Sequence, residues 1–120
     1  MNEVAWEKDY YEDGTLYRET PYVNGQRHGV KRMYYHNGTL QYKISHTDGQ
    51  AQGIEMVYFE DGTIEWETPY VNDQLHGVEK WYLKDGRLRE ITLWIRDKQR
   101  NDLLGDEHRL IRLVLLGEQG

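Results

Sequence analysis

Apolar and polar residues alternate along this chain in short runs, and the runs return every 24 residues. Tyr10-Tyr11, Tyr34-Tyr35, Tyr58-Phe59 and Tyr82-Leu83 each lead into a turn signal. Those signals are Glu12-Asp13-Gly14-Thr15, His36-Asn37-Gly38-Thr39, Glu60-Asp61-Gly62-Thr63 and Lys84-Asp85-Gly86-Arg87. After each turn come Leu16, Leu40, Ile64 or Leu88, then a ring at Tyr22, His46, Tyr70 or Trp94. Aromatic and β-branched residues suit a pleated surface, and Asp-Gly or Asn-Gly between such runs predicts a tight hairpin. A longer second turn follows at Asn24–Gly29, Asp48–Gly53 and Asn72–Gly77; in the fourth copy it decays to Asp97-Lys98-Gln99-Arg100-Asn101.

The period predicts four units, 6–29, 30–53, 54–77 and 78–101, each a strand, a tight turn, a strand and a longer turn. Stacked in order, they form one domain: an all-β, elongated, twisted antiparallel meander of about eight short strands. Glu19-Thr20-Pro21-Tyr22-Val23-Asn24 returns almost verbatim at Glu67–Asn72, so a two-unit block is itself repeated. Pro21 and Pro69 occupy one repeat position and read as bulge or strand-end sites. Residues 102–120 break the pattern and are expected to cap the array. A short helix from Asp106 to Gly117, with Leu110, Ile111, Val114 and Leu115 as its stripe, is the leading expectation; two further strands are the rival.

A two-residue turn at Asp13-Gly14 would pair Tyr11 with Leu16 and residue 9 with residue 18. One face would then hold Tyr35, Phe59, Leu83, Met33, Val57, Trp81, Leu40, Ile64 and Leu88, joined by Tyr42, Trp66, Ile44, Tyr70 and Trp94. The other would hold the column Tyr10, Tyr34, Tyr58, Tyr82 among mixed charges. A bulged turn would shift this register by one and swap part of the assignment.

With 38% hydrophobic residues, much of them Tyr and Trp, a thick core is not expected. No run of about 18 apolar residues offers a membrane span, and Met1–Glu7 lacks the basic-then-apolar pattern of a secretory signal. The absence of cysteine excludes disulfides and thiolate chemistry. These features lead us to expect a cytoplasmic protein. The net charge of −6 is uneven. Unit three holds Glu55, Glu60, Asp61, Glu65, Glu67 and Asp73 with no Lys or Arg, whereas unit four is basic. An acidic patch favours fast, salt-sensitive capture of a basic partner; its bland counterpart is a solvated face.

The stretches Tyr22-Val23-Asn24-Gly25-Gln26-Arg27-His28-Gly29 and Tyr34-Tyr35-His36-Asn37-Gly38-Thr39-Leu40 resemble the MORN repeat, in the variant form of the bacterial YwqK-family antitoxins. The resemblance covers about residues 6–101 and implies a sheet of hairpins with a binding role, often as an antitoxin or immunity-like protein. Asp73 and Gln52 depart from its Gly and His, and both turn glycines are missing from the second turn of unit four. It supplies no catalytic residues to carry over.

Candidate chemistry is sparse. His28 and His76 are equivalent turn positions, nearly 20 Å apart at about 4.8 Å per strand, and are expected to stabilise turns rather than bind metal. The carboxylates recur with the scaffold, unlike a single catalytic site, and no phosphate loop or nucleophile triad is present. A pI of 5.3 disfavours nucleic acid. The expectation is therefore a non-enzymatic, cofactor-free protein-binding module that neutralises a basic toxin by direct contact. Its contact residues would be Tyr58, Glu60, Asp61, Glu65, Glu67 and Asp73. The alternative is a scaffolding module that self-associates or meets a membrane.

Overall fold

The computed structural model describes residues 3–104. The helical cap expected over 106–117 lies outside the described residues. Among the described residues, twelve strands form one antiparallel sheet. Eight are long: β1 (Ala5–Tyr10), β2 (Leu16–Val23), β4 (Gly29–Tyr34), β5 (Leu40–Thr47), β7 (Gly53–Tyr58), β8 (Ile64–Val71), β10 (Gly77–Tyr82) and β11 (Leu88–Ile95). Four are two-residue strands that fold back on the preceding long one: β3 (Gln26–Arg27), β6 (Gln50–Ala51), β9 (Gln74–Leu75) and β12 (Lys98–Gln99). The molecule measures 53 × 33 × 19 Å. The expected elongated meander of hairpins is therefore present, extended by the short strands.

The two turn types exchange the roles expected of them. The Asp13-Gly14 tip is not a two-residue turn. Tyr11 N–H donates to Thr15 O (2.8 Å), Gly14 N–H donates to Tyr11 O (2.9 Å), and Gly14 sits at φ +90°. Only the last loop residue has positive φ, which makes a three-residue loop with a glycine bulge. The Asp13 carboxylate accepts from both the N–H and the hydroxyl of Thr15, which holds the loop in this form. The true two-residue turns are Asn24-Gly25, Asp48-Gly49, Asn72-Asp73 and Arg96-Asp97, in which both residues have positive φ.

The tip bulge shifts the register by one, so Tyr10 rather than Tyr11 pairs with Leu16. A second bulge, at Tyr17, restores it, and Asp9 pairs with Arg18 as expected. The same happens at Tyr34↔Leu40, Tyr58↔Ile64 and Tyr82↔Leu88. Two assignments are thereby corrected. Leu40, Ile64 and Leu88 share a face with the tyrosine column, and Tyr35, Phe59 and Leu83 lie in the tip loops rather than in strands.

Met33, Val57, Trp81, Tyr42, Trp66, Ile44, Tyr70 and Trp94 do lie together on one face. It is the buried face: Thr20, Ile44 and Thr68, at one repeat position, are 3–5% exposed. The open face carries every exposed large apolar strand residue, namely Trp6, Tyr10, Ile54, Val71 and Val78.

Successive hairpins are joined by only two residue pairs each: Arg18↔Met33 with Glu19↔Arg32, Tyr42↔Val57 with Lys43↔Met56, and Trp66↔Trp81 with Glu67↔Lys80. Pro21 and Pro69 sit just past these ladders, where no neighbour needs their missing N–H. The short strands and second turns supply the remaining contacts. Gly49 N–H reaches Arg27 O, Asp73 N–H reaches Ala51 O, and Asp97 N–H reaches Leu75 O, each about 2.9–3.0 Å.

Candidate functional site

The six residues expected to form a binding patch divide among three places. Glu60 and Asp61 form the exposed tip between β7 and β8, with Tyr58 and Glu65 at its base. The Tyr35 phenol of the preceding tip is raised in pKa by burial and then by the charges of Glu65 and Glu60, so these groups converge. Asp61 is partly committed to its own loop. It accepts from the Thr63 N–H and hydroxyl, and those bonds lower its pKa.

Glu67 lies on the open face and is engaged. Its Oε1 accepts from the Tyr82 hydroxyl at 2.7 Å, and its residue pairs with Lys80. Asp73 stands at the opposite sheet edge, about 23 Å away along an eight-residue strand. There its Oδ1 accepts the Ala51 N–H at 2.6 Å. Asp97 does the same for Leu75 at 2.7 Å, which explains an aspartate where a glycine would relieve the positive φ. Glu60, Asp61 and Glu65 thus share one tip with Tyr58 at its base, while Glu67 and Asp73 lie apart from it in hydrogen bonds within the sheet.

The histidines at the second turns also work within the array. His28 Nδ1 accepts from Asp48 N–H and His76 Nδ1 from Arg96 N–H, each at 3.3 Å. Among the described residues, no group of three His, Cys, Asp or Glu is placed to hold a metal ion, and no helix is long and apolar enough to cross a membrane.

Sequence reasoning missed the organisation of the buried face. Trp66 and Trp81 stack with centroids 4.8 Å apart and planes within 6°, and the Arg89 guanidinium lies 3.9 Å over Trp81. Glu79 accepts from Thr68 Oγ1 (2.8 Å) and Trp94 Nε1 (3.1 Å). Burial raises the Glu55 carboxyl against the opposing Tyr42 hydroxyl bond. The cross-strand signal was available: positions 66 and 81 are partners once the two-pair ladder is known.

Against this geometry, residues 7–24 and 27–48 match the family model described as the MORN repeat variant. These two segments are similar to MORN-type repeats. The match spans the first two hairpins, and the same strand pairing recurs in the third and fourth. No curated protein and no solved structure matches the chain.

Proposed function

We propose that this chain is a non-enzymatic protein-binding module of the antitoxin or immunity type, which masks a basic partner by direct contact. The observation that carries the reading is the gathering of Glu60, Asp61 and Glu65 at one exposed hairpin tip, with Tyr58 at the strand end below it. That cluster joins carboxylates to an aromatic anchor of the kind favoured at binding hot spots. Long-range attraction to such a cluster speeds capture and weakens with salt.

The test is capture of partners from the native host, eluted in steps of rising salt, with wild type beside Glu60→Lys/Glu65→Lys. The expected result is one basic protein released at moderate salt and lost on charge reversal. Capture that the double variant leaves intact would sink the acidic tip as the interface.

A scaffolding reading has its own observation. Among the described residues no strand pairs with the outer edge of β1, and Trp6 and Tyr10 beside it are 48% and 58% exposed. Open edges template strand pairing. The charges on β1 oppose pairing with itself: a two-fold axis normal to the sheet pairs residues of equal parity, setting Lys8 on Lys8, Glu7 on Glu7 or Asp9 on Asp9. Like charges directly opposite destabilise a ladder. Sedimentation of the purified chain over a concentration series separates the readings, since a persistent monomer removes the scaffold.

A further inference from the structure

We infer that the open face holds a second binding site, a groove between β4, β5 and β7 that takes a carboxylate side chain, flanked by apolar ones, from an acidic segment of a protein partner. The groove has a volume of about 330 Å³, and its walls include Val30, Arg32, Lys43, Ser45, Ile54 and Met56. It adjoins Tyr58 at the base of the acidic tip but includes none of that tip's carboxylates, so the two captures are separable by charge reversal at the tip.

The molecule supplies the template for the missing ligand. At the first junction between hairpins, Glu19 Oε1 accepts from the Tyr34 hydroxyl at 2.9 Å and lies 4.0 Å from Arg32 Nη1. At the third, Glu67 Oε1 accepts from the Tyr82 hydroxyl while Glu67 pairs with Lys80. Glu19 is thus held between a phenol and a cation, and Glu67 is held by a phenol with a lysine as its cross-strand partner. At the second junction the equivalent residue is Lys43, paired with Met56, and Tyr58 stands where Tyr34 and Tyr82 stand. A phenol and a cation flank this junction too, but among the described residues no carboxylate is bonded to either.

Two further departures from the repeat open the same spot. Ser45 replaces the ring found at Pro21 and Pro69, which removes the bulk that covers Gly29 and Gly77. Met56 replaces the cation found at Lys8, Arg32 and Lys80. The result is an apolar floor in which Ile54 is 52% exposed, beside a lysine for which the described residues show no counter-charge. Exposed apolar surface rimmed by polar groups marks interaction sites, and side chains alternating along an extended segment would present a carboxylate to Lys43 and apolar groups to Ile54 and Met56.

The test is amide-resolved NMR of the full chain titrated with an acetylated peptide of alternating glutamate and valine. A lysine–valine peptide and anionic phosphatidylglycerol vesicles serve as comparators. The expected result is saturable shifts centred on residues 43, 45, 54, 56 and 58 with the glutamate peptide alone. Lys43→Glu should remove the cation, set a like charge against the peptide's carboxylates and weaken it about tenfold. Ile54→Asp should weaken it while leaving the fold intact, and Glu60→Lys/Glu65→Lys should leave it unchanged. Absence of shifts in the groove, equal shifts with the lysine peptide, or binding indifferent to Lys43→Glu overturns the inference. So does Lys43-dependent binding of vesicles without peptide binding, which would make the groove a lipid-headgroup site.

Discussion

The Tyr82 hydroxyl donates to Glu67 Oε1 at 2.7 Å, bridging the third and fourth hairpins. Burial, then this bond and the charge of Glu67, push the Tyr82 phenol up to about 12. Because burial is the first of these causes, Glu67→Gln is expected to bring the phenol down without returning it to its ordinary value of 10. Spectrophotometric titration of tyrosinate in the two proteins measures this. In urea unfolding, a double-mutant cycle of Glu67→Ala and Tyr82→Phe should give a coupling of about 0.5–1.5 kcal/mol, discounted for partial exposure. A coupling near zero would mean that the clasp is incidental.

The turn at Asn72-Asp73 trades backbone strain for a hydrogen bond. Asp73 sits at φ +69° and its carboxylate satisfies the Ala51 N–H. Asp73→Gly relieves the strain but loses the acceptor, whereas Asp73→Ala loses the acceptor and keeps the strain. The alanine variant should therefore be the less stable, by about 1 kcal/mol relative to glycine, and should cost roughly 1–3 kcal/mol against wild type. Thermal unfolding of the three proteins decides it, and alanine and glycine variants of equal stability would refute the strain argument.

His46 occupies the position of Tyr22, Tyr70 and Trp94, and its Nδ1 is buried with no hydrogen-bond partner among the described residues. Burial, followed by the charges of Arg27 and Lys31, lowers its pKa below 6.5, with Asp73 opposing. Between that lowered value and 6.5 the unfolded chain binds a proton that the folded chain does not. Stability is therefore full above about pH 6.5 and declines as the pH falls through this window. His46→Tyr, which matches two sister positions, is expected to flatten the fall in melting temperature as the pH drops below about 6.5. A slope unchanged in the variant would place its source elsewhere.

Much of this was legible in the chain and some was not, for definite reasons. The 24-residue period, the hairpins and the membership of the Trp66–Trp81 face follow from alternation and turn chemistry, which are local. The Leu40 and Ile64 column was placed on the wrong face because Gly14 alone does not reveal whether its turn has two or three residues. That choice depends on the Asp13–Thr15 bonds, and a second bulge then cancels the shift within three residues. The acidic patch failed as a unit for another reason. Glu60 and Asp73 are close in sequence, yet β8 carries the chain across the full width of the sheet between them. The 48-residue super-period was visible as sequence identity. Its physical basis, clasps at alternate junctions, required the pairing of Glu19 with Arg32.

Those alternating clasps predict unequal responses at equivalent glycines. A Cβ on Gly77 would lie 3.0 Å from Pro69 Cγ, with the backbone at φ +125°. His76 N–H, bonded to Pro69 O at 3.1 Å, limits how far the proline ring can withdraw. A Cβ on Gly53, at φ +95°, would meet nothing within 4 Å, because Ser45 replaces the proline there. Both alanine variants incur strain of roughly 1–3 kcal/mol from positive φ, but only Gly77→Ala adds a collision. It should therefore be the less stable of the two by about 1 kcal/mol or more, read from chemical denaturation. Placing proline at position 45 should close this gap by making Gly53→Ala equally costly. If Gly53→Ala instead remains the milder change in that background, the Pro–Gly contact is not what distinguishes the junctions.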